Sequence, residues 1–314
     1  MTTSTIDRQV LADVVGLACR APSVHNSQPW RLVATGGALR LFLAPHRVPR
    51  ATDPSGREAM MSCGALLDHI QVAAAAAGWT ADIARFPNPN ELDHLATVEF
   101  RPLEFVTTAH RARAEAIAHR RTDRLPFAAP PAWDAFEPML RATVDPDKAA
   151  LHVLDDAARP RLADASRLTE TLRRYDASYH AELLWWTADF EASDSRVDIA
   201  RALPAVQHPE RRPEVSVDRS AIVVLSTRSG SRREMLGCGE VLSDVLLEAT
   251  MAGLATCTLT HITELEASRS ILRTLTGDTG DPQLLIRIGL VPEGSDQPPM
   301  TGRRPTTDVL EFED

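Results

Sequence analysis

Residues 57–78, REAMMSCGALLDHIQVAAAAAG, and residues 232–253, RREMLGCGEVLSDVLLEATMAG, decide how this chain is organised. Laid over one another without a gap, they pair Arg57 with Arg232, Met60 with Met235, Cys63 with Cys238, Gly64 with Gly239 and Leu67 with Leu242. Ala74, Ala77 and Gly78 then meet Ala249, Ala252 and Gly253. Chance gives roughly one or two identities over such a window, so the pair reads as a duplicated supersecondary unit. Apolar residues at Leu66, Leu67, Ile70, Ala74 and Ala77, and at Val241, Leu242, Val245, Ala249 and Ala252, recur at helical spacing. Gly78 and Gly253 supply the C-terminal stops. Each copy is predicted to be one long helix with a face small enough for close packing.

Outward from the helices, the pattern changes to that of strands. Trp79 to Phe86 and Ala96 to Arg101 follow the first helix, and Ala255 to Leu259 and Gln283 to Val291 follow the second. Arg31 to Thr35 and Ala38 to Leu43 flank the Gly36-Gly37 turn, and Ala149 to Leu154 and Ala221 to Thr227 read as strands of the second half. Further helices are expected from Asp7 to Arg20, Thr108 to Arg121, Ala157 to Arg173 and Glu264 to Thr274. The fold class is α+β, with helices over mixed or mostly antiparallel sheets. Proline marks the linkers at Pro87 to Asn90, Pro126 to Pro131 and Pro204 to Pro213. A boundary near residue 106 divides the chain into halves 1–106 and 107–314. One helix and one sheet make a thin core, so the halves are expected to be intertwined.

Composition narrows the classes of function. The 314 residues are 44% hydrophobic and 25% charged, the balance of a soluble globular protein. With 34 basic against 43 acidic residues the net charge is −9, which argues against general adhesion to nucleic acid or anionic membrane. The first residues lack an apolar leader and no apolar run reaches the ~18 residues of a spanning helix, so a cytoplasmic protein is expected. Cys19, Cys63, Cys238 and Cys257 lie in apolar segments without CxxC or metal-ligand spacing. They are expected to be reduced and buried, with no metal centre. No GxSxG elbow, GxGxxG or P-loop is present.

Two short stretches remain that carry polar chemistry. In Ala21-Pro22-Ser23-Val24-His25-Asn26-Ser27-Gln28-Pro29-Trp30, two prolines bracket short polar residues, holding amides and side chains in an extended turn. Such a turn offers several hydrogen bonds to one planar ligand; it is equally an ordinary turn leading into a strand with Trp30 in the core. In His119-Arg120-Arg121-Thr122-Asp123-Arg124-Leu125-Pro126-Phe127, three guanidiniums and the Thr122 hydroxyl match the charge and acceptors of a phosphate dianion. The alternative is a solvated basic helix end, since arginine pairs recur at Arg173-Arg174, Arg211-Arg212 and Arg232-Arg233.

The first stretch resembles the APSxxNxQPW signature that contacts the flavin ring in FMN-dependent nitroreductases, and the second resembles their phosphate-holding RRSxRxF motif. From Asp218 onward the order of strand, long helix, Gly-Leu, strand, helix, strand and Gly302-Arg303-Arg304-Pro305 also follows that family. The chain is most similar to the Acg-type branch, in which two nitroreductase-like halves are fused. The resemblance implies a nitroreductase-like fold with an internal pseudo-twofold. It places Asn26 at the ring edge, Ser23 at the pyrimidine side and Gln28 beside them, with Arg120, Arg121, Thr122 and Arg124 on the phosphate. Arg303, with Arg304 beside it, would support the phosphate end. Thr260 and His261 fall where the family often has a ring contact, but the match is loose.

Family members are dimers whose flavin lies between subunits. Here the PSxxN turn lies in one half, and the arginine run, Gly253-Leu254 and Arg303 lie in the other. The reciprocal site finds only Arg8 near the start and Tyr179 to Trp186 before Asp218. One FMN per chain and a pseudo-dimeric monomer are expected. The resemblance further implies that a nicotinamide, NADH or NADPH, delivers hydride to flavin N5 and that a nitroaromatic or quinone takes the electrons, with no catalytic side chain. Residues 175–215 depart from an ordinary nitroreductase and gather Tyr175, Tyr179, Trp185, Trp186 and Phe190. They are expected to form a lid, with Trp185 and Trp186 over the flavin, or a surface helix packed on the protein's own core. Three readings follow: an NAD(P)H-dependent oxidoreductase, a flavin-sequestering protein closed by its lid, and a cofactor-free interaction module.

Overall fold

The computed structural model describes residues 5–182, 212–295, 298 and 300–313. It divides the chain into two compact units, one made of Met1–His119, Ser231–Ser243 and Gly302–Asp314, the other of Arg120–Gly230 and Asp244–Thr301.

In the first unit, β1 (Trp30–Thr35) and β2 (Ala38–Leu43) form a hairpin, and β3 (Trp79–Arg85) and β4 (His94–Pro102) form a second antiparallel pair. Gly36 and Gly37 have φ of 59° and 86°, the left-handed pair that a two-residue hairpin turn requires. β4 lies on β2, giving the order β3-β4-β2-β1. In the second unit, β5 (Ala150–Leu154), β6 (Ala221–Thr227), β7 (Ala255–Leu259) and β8 (Asp281–Gly289) form a four-stranded antiparallel sheet in the order β5-β6-β8-β7. The two sheets thus share one strand order. The first carries an extra strand, β9 (Leu310–Glu313), which runs parallel to β1 with Leu32 opposite Leu310.

Among the described residues the longer helices are α1 (Arg8–Ala18), α2 (Arg57–Ala76), α3 (Thr108–His119), α4 (Trp133–Thr143), α5 (Arg159–Arg173), α6 (Arg232–Met251) and α7 (Glu266–Thr276). Under the sequence alignment of the two windows, α2 and α6 start and stop at matched residues. Gly78 and Gly253 follow them with φ of 88° and 73°, the left-handed caps expected of them. α2 is long and apolar enough to cross a membrane by length and composition, but most of it is buried inside the protein, as a core helix is.

Within the first unit, α2 and the opening turns of α6 meet reciprocally. A Cβ on Gly64 would run into the carbonyl of Leu236, and one on Gly239 into the carbonyl of Met61, the residue matched to Leu236. Asp68 accepts a hydrogen bond of 2.6 Å from Ser243, its own counterpart in the alignment. Burial pushes the Cys63 and Cys238 thiols up, Cys238 to about 12, while Arg232 acts on Cys63 and Arg57 on Cys238 in the opposite sense. Contacts of i with j repeated as j with i are what a twofold axis imposes. Glu240, fully buried on α6, is held by a two-pronged bond of 2.7 and 2.6 Å from Arg85 on β3.

The core of the second unit is built from α5, α7 and the sheet, with Phe127, Leu162, Ile222, Val224, Leu272 and Leu285 buried together. Besides β9, which the sequence reading did not include, two elements differ from it. α4 forms despite Pro138 in its interior and Pro130-Pro131 before it, held where Arg141 donates to the Leu151 carbonyl at 2.7 Å on β5. α3 ends at His119, so Arg120 and Arg121 lie beyond the helix. Thr122 pairs with Thr256, and the Asp123 amide donates to the Thr256 carbonyl at 3.0 Å, drawing the chain out along β7.

Candidate functional site

The first unit gathers Ser23, Asn26, Gln28, Arg303 and Arg304 around one turn. Residues Val24–Asn26 form a single 3₁₀ turn after Ser23, and His25, Asn26 and Gln28 all have positive φ, at 47°, 54° and 50°. Three non-glycine residues in the left-handed region within four positions store strain, at about 1–3 kcal/mol each, and persist only where the surroundings over-determine them. Those surroundings are visible. Ser62 Oγ on α2 accepts from the Val24 amide at 3.0 Å, and Ser23 Oγ accepts from the Gln28 amide at 3.1 Å. Asn26 Nδ2 donates to the Gly302 carbonyl at 3.1 Å, and the Arg304 amide donates to Gln28 Oε1 at 2.9 Å. Gln28 Nε2 donates to the Asn26 carbonyl at 3.2 Å.

These bonds sort the sequence candidates. Both ends of the Gln28 amide are used inside the turn, so its side chain builds the turn. Ser23 accepts through its oxygen and keeps a hydroxyl hydrogen to donate, while Asn26 donates through Nδ2 and keeps Oδ1 to accept. Ser27 Oγ is buried and has no hydrogen-bond partner. Trp30 is fully buried and starts β1, so it serves the core.

Arg303 faces the backbone. Its guanidinium donates to the carbonyls of Cys19 (3.1 Å), Arg20 (3.0 Å), Ala21 (3.5 Å) and Gly302 (3.0 Å). Burial first, and then the like charge of Arg20, push its pKa down to about 10. Arg47 is lowered too, by burial and by Arg304. Arg47 donates to the carbonyls of Trp30 and Asp308, both at 3.0 Å. The turn is therefore ringed by guanidiniums that raise the local positive potential, a setting that favours an anion.

The second unit carries Arg120, Arg121, Thr122 and Arg124 on one irregular loop. Arg120 is buried, Arg121 and Thr122 are half-buried, and Arg124 is exposed. The scaffold beneath them is a set of residues that sequence reading passed over. Asp123 is buried, accepts from the Leu125 amide at 2.9 Å and pairs with buried Arg212 at 2.7 Å. Arg212 also donates to the Pro126 carbonyl at 2.9 Å. Arg287, in the middle of β8, donates to the Arg124 and Leu125 carbonyls and pairs with Asp218. Asp218 further accepts from the Phe127 amide at 2.8 Å and from Arg159 at 3.3 Å. Burial works against the Asp218 charge, but Arg287 and the hydrogen bonds outweigh it and hold the carboxyl below its usual range. Phe127, fully buried, has the Arg287 and Arg212 guanidiniums at 4.7 and 6.0 Å from its ring centroid.

His261 is buried with Nε2 3.0 Å from Ser166 Oγ, and burial lowers its pKa to about 4. It is a neutral core histidine. Tyr179 is buried under the Arg173 guanidinium, 4.7 Å from its ring centroid, whereas Tyr175 is exposed. Trp185, Trp186 and Phe190 lie outside the described residues. Among the described residues no cluster of histidine, cysteine or carboxylate side chains is arranged to hold a metal ion.

No family model matches the chain. The Acg protein of Mycobacterium tuberculosis, named as an NAD(P)H nitroreductase, is 54% identical over 323 residues, covering 99% of this chain and 98% of its own. A second M. tuberculosis protein named as an NAD(P)H nitroreductase is 33% identical over 333 residues, covering 99% of this chain and 94% of its own. Among solved structures, the FMN-dependent nitroreductase NfnB of Mycobacterium smegmatis, in complex with NADPH, is similar at 15% identity, covering 66% of this chain and all of its own, with a TM-score of 0.44. The two near-full-length mycobacterial relatives put the α+β fold in the nitroreductase class. Within that class, the chain belongs to the Acg family.

Proposed function

We propose that this protein binds one FMN per chain and moves two electrons from NAD(P)H to a small nitroaromatic or quinone acceptor. The turn carries the reading: Ser23 keeps a hydrogen to donate, Asn26 keeps Oδ1 to accept, and buried Ser27 Oγ has no partner. That donor set suits a planar edge on which carbonyls alternate with an N–H, as the flavin pyrimidine does. Arg120, Arg121, Thr122 and Arg124 suit the phosphate by charge and by donor number. When bound, FMN supplies the electron transfer at N5, so no protein acid or nucleophile is needed. The chain's own work is positional and electrostatic. Its strained turn fixes where the ring edge sits, and the guanidiniums of Arg20, Arg47, Arg303 and Arg304 favour negative charge there. The names of the mycobacterial relatives support nicotinamide as reductant.

The same proposal takes the chain as two tandem halves, 1–106 and 107–314, acting as a cytoplasmic pseudo-dimeric monomer, with 175–215 as a lid bearing Trp185 and Trp186. The aromatic concentration in that segment favours a second reading, a flavin-sequestering protein with little turnover. An absorption spectrum of the purified protein, followed by anaerobic NADPH and then a quinone, tests both. Flavin bands that bleach and then support steady nicotinamide oxidation are expected of the oxidoreductase. Flavin bands with turnover only after removal of the 175–215 segment favour sequestration. A colourless protein that takes up no FMN overturns the reading.

A further inference from the structure

We propose that Arg303 is a positioning residue for the flavin-ring turn, acting on its backbone and leaving the phosphate to other residues. This rests on the FMN reading and reassigns the arginine that family resemblance puts at the phosphate end. Residues 302, 303 and 304 each grip the turn by a different group. The Gly302 carbonyl receives Asn26, the Arg303 guanidinium spans the carbonyls of Cys19, Arg20 and Ala21, and the Arg304 amide reaches Gln28. The carbonyls of Cys19, Arg20 and Ala21 lie between the end of α1 and the turn, and a forked cation is well matched to several at once. Arg303 therefore braces, from a distant part of the chain, the segment that links α1 to the turn, and sets the angle at which the chain enters it.

The strain makes that grip consequential. His25, Asn26 and Gln28 at positive φ would relax toward the ordinary regions once the anchoring bonds were lost. Relaxation would turn Asn26 Oδ1 and the Ser23 hydroxyl away from a shared ligand edge. Donors already committed to carbonyls would also have to leave them to reach a phosphate.

Flavins with and without phosphate separate the two roles. Flavin-free protein is titrated with FMN and with riboflavin, following fluorescence, for wild type, Arg303→Gln and Arg121→Ala. Positioning predicts that R303Q weakens both flavins by the same factor, on the order of tenfold, leaving the FMN-to-riboflavin affinity ratio unchanged. R121A should weaken FMN and spare riboflavin. If R303Q weakens FMN alone, Arg303 is a phosphate ligand and the proposal is overturned; unchanged affinity for both also overturns it. Should R303Q fail to fold, Arg303→Lys replaces it, keeping the charge but not the fork, with a smaller but still equal loss expected for both flavins. A wild type that binds neither flavin sinks the cofactor reading itself, a result distinct from any of these. As a flavin-independent check, R303Q should speed maleimide labelling of buried Cys19, whose carbonyl the guanidinium holds.

Discussion

The turn at Ala21–Trp30 and the loop at Arg120–Phe127 are both held by arginines that donate to backbone carbonyls, yet they are built on opposite principles. The turn has a strained main chain, fixed by a hydrogen bond from Asn26 to the Gly302 carbonyl and by hydrogen bonds from Arg303 and Arg304. The loop has no residue at positive φ and is fixed by the buried pairs Asp123 with Arg212 and Asp218 with Arg287. A ring edge demands geometry, and geometry can be enforced by many directional hydrogen bonds on a main chain that would otherwise relax. A phosphate demands charge, and a cationic loop needs its own acidic counterweights. Damage to the turn should therefore misplace a ligand, and damage to the loop should cost stability.

The largest expected effect tests the second half of that contrast. Asp218→Ala leaves Arg287 and Arg159 without their shared carboxylate and should destabilise the protein by about 3–5 kcal/mol, because an uncompensated buried charge is left behind. Chemical denaturation reads it directly, and a loss under ~1 kcal/mol would break the comparison.

Acid sensitivity should come next, and from the same unit. His261 has its pKa lowered from 6.5 to about 4, so the unfolded chain takes up a proton that the folded one refuses. Its contribution is neutral above the unfolded value, falls as pH drops through the interval, and levels off below the folded value. The total is about 3 kcal/mol. Wild type should lose that much more stability than His261→Gln between neutral pH and pH ~4; parallel curves would show that the imidazole is not kept neutral by burial.

Gly64→Ala should cost about 2 kcal/mol, since the new methyl meets the Leu236 carbonyl, and Gly239→Ala should cost about the same against Met61. Unequal losses would show that the reciprocal crossing is not energetically symmetric. The smallest effect calibrates the strain. Ala132 sits at φ 50° before α4 with no side-chain cap, and Ala132→Gly should gain about 0.5–1 kcal/mol in thermal or denaturant unfolding. No gain would mean that strain of this kind is small in this chain and that the turn needs less anchoring than its geometry suggests.

The two long helices were legible because their apolar spacing repeats, and their bounds follow from the matched arginines and glycines. The hairpin at Gly36-Gly37 was legible because only glycine takes those angles comfortably. α4 was hidden by Pro138, since a proline inside a helical pattern reads as a break until a partner such as β5 is known. β9 was hidden by its shortness and by Glu311 and Glu313, whose partners Arg31 and Arg40 lie on distant strands. In the site, the polar turn announced itself through local residue types. The supports of the arginine loop did not: Arg287 stands inside an apolar strand, Asp218 among ordinary loop residues, and Arg212 in what reads as one more basic pair. A side chain that binds main-chain carbonyls leaves no mark on the sequence of the loop it holds.

The pairing of β9 with β1 has a consequence for biosynthesis. Leu32 is made early and its partner Leu310 late, so the first sheet cannot be finished while most of the chain is being translated. Until then β1 offers an open edge to any other strand, and closure of so long a loop is slow. Chaperone dependence during expression, and sensitivity to trimming of residues 302–313, should be greater for this protein than its short local hairpins alone would suggest.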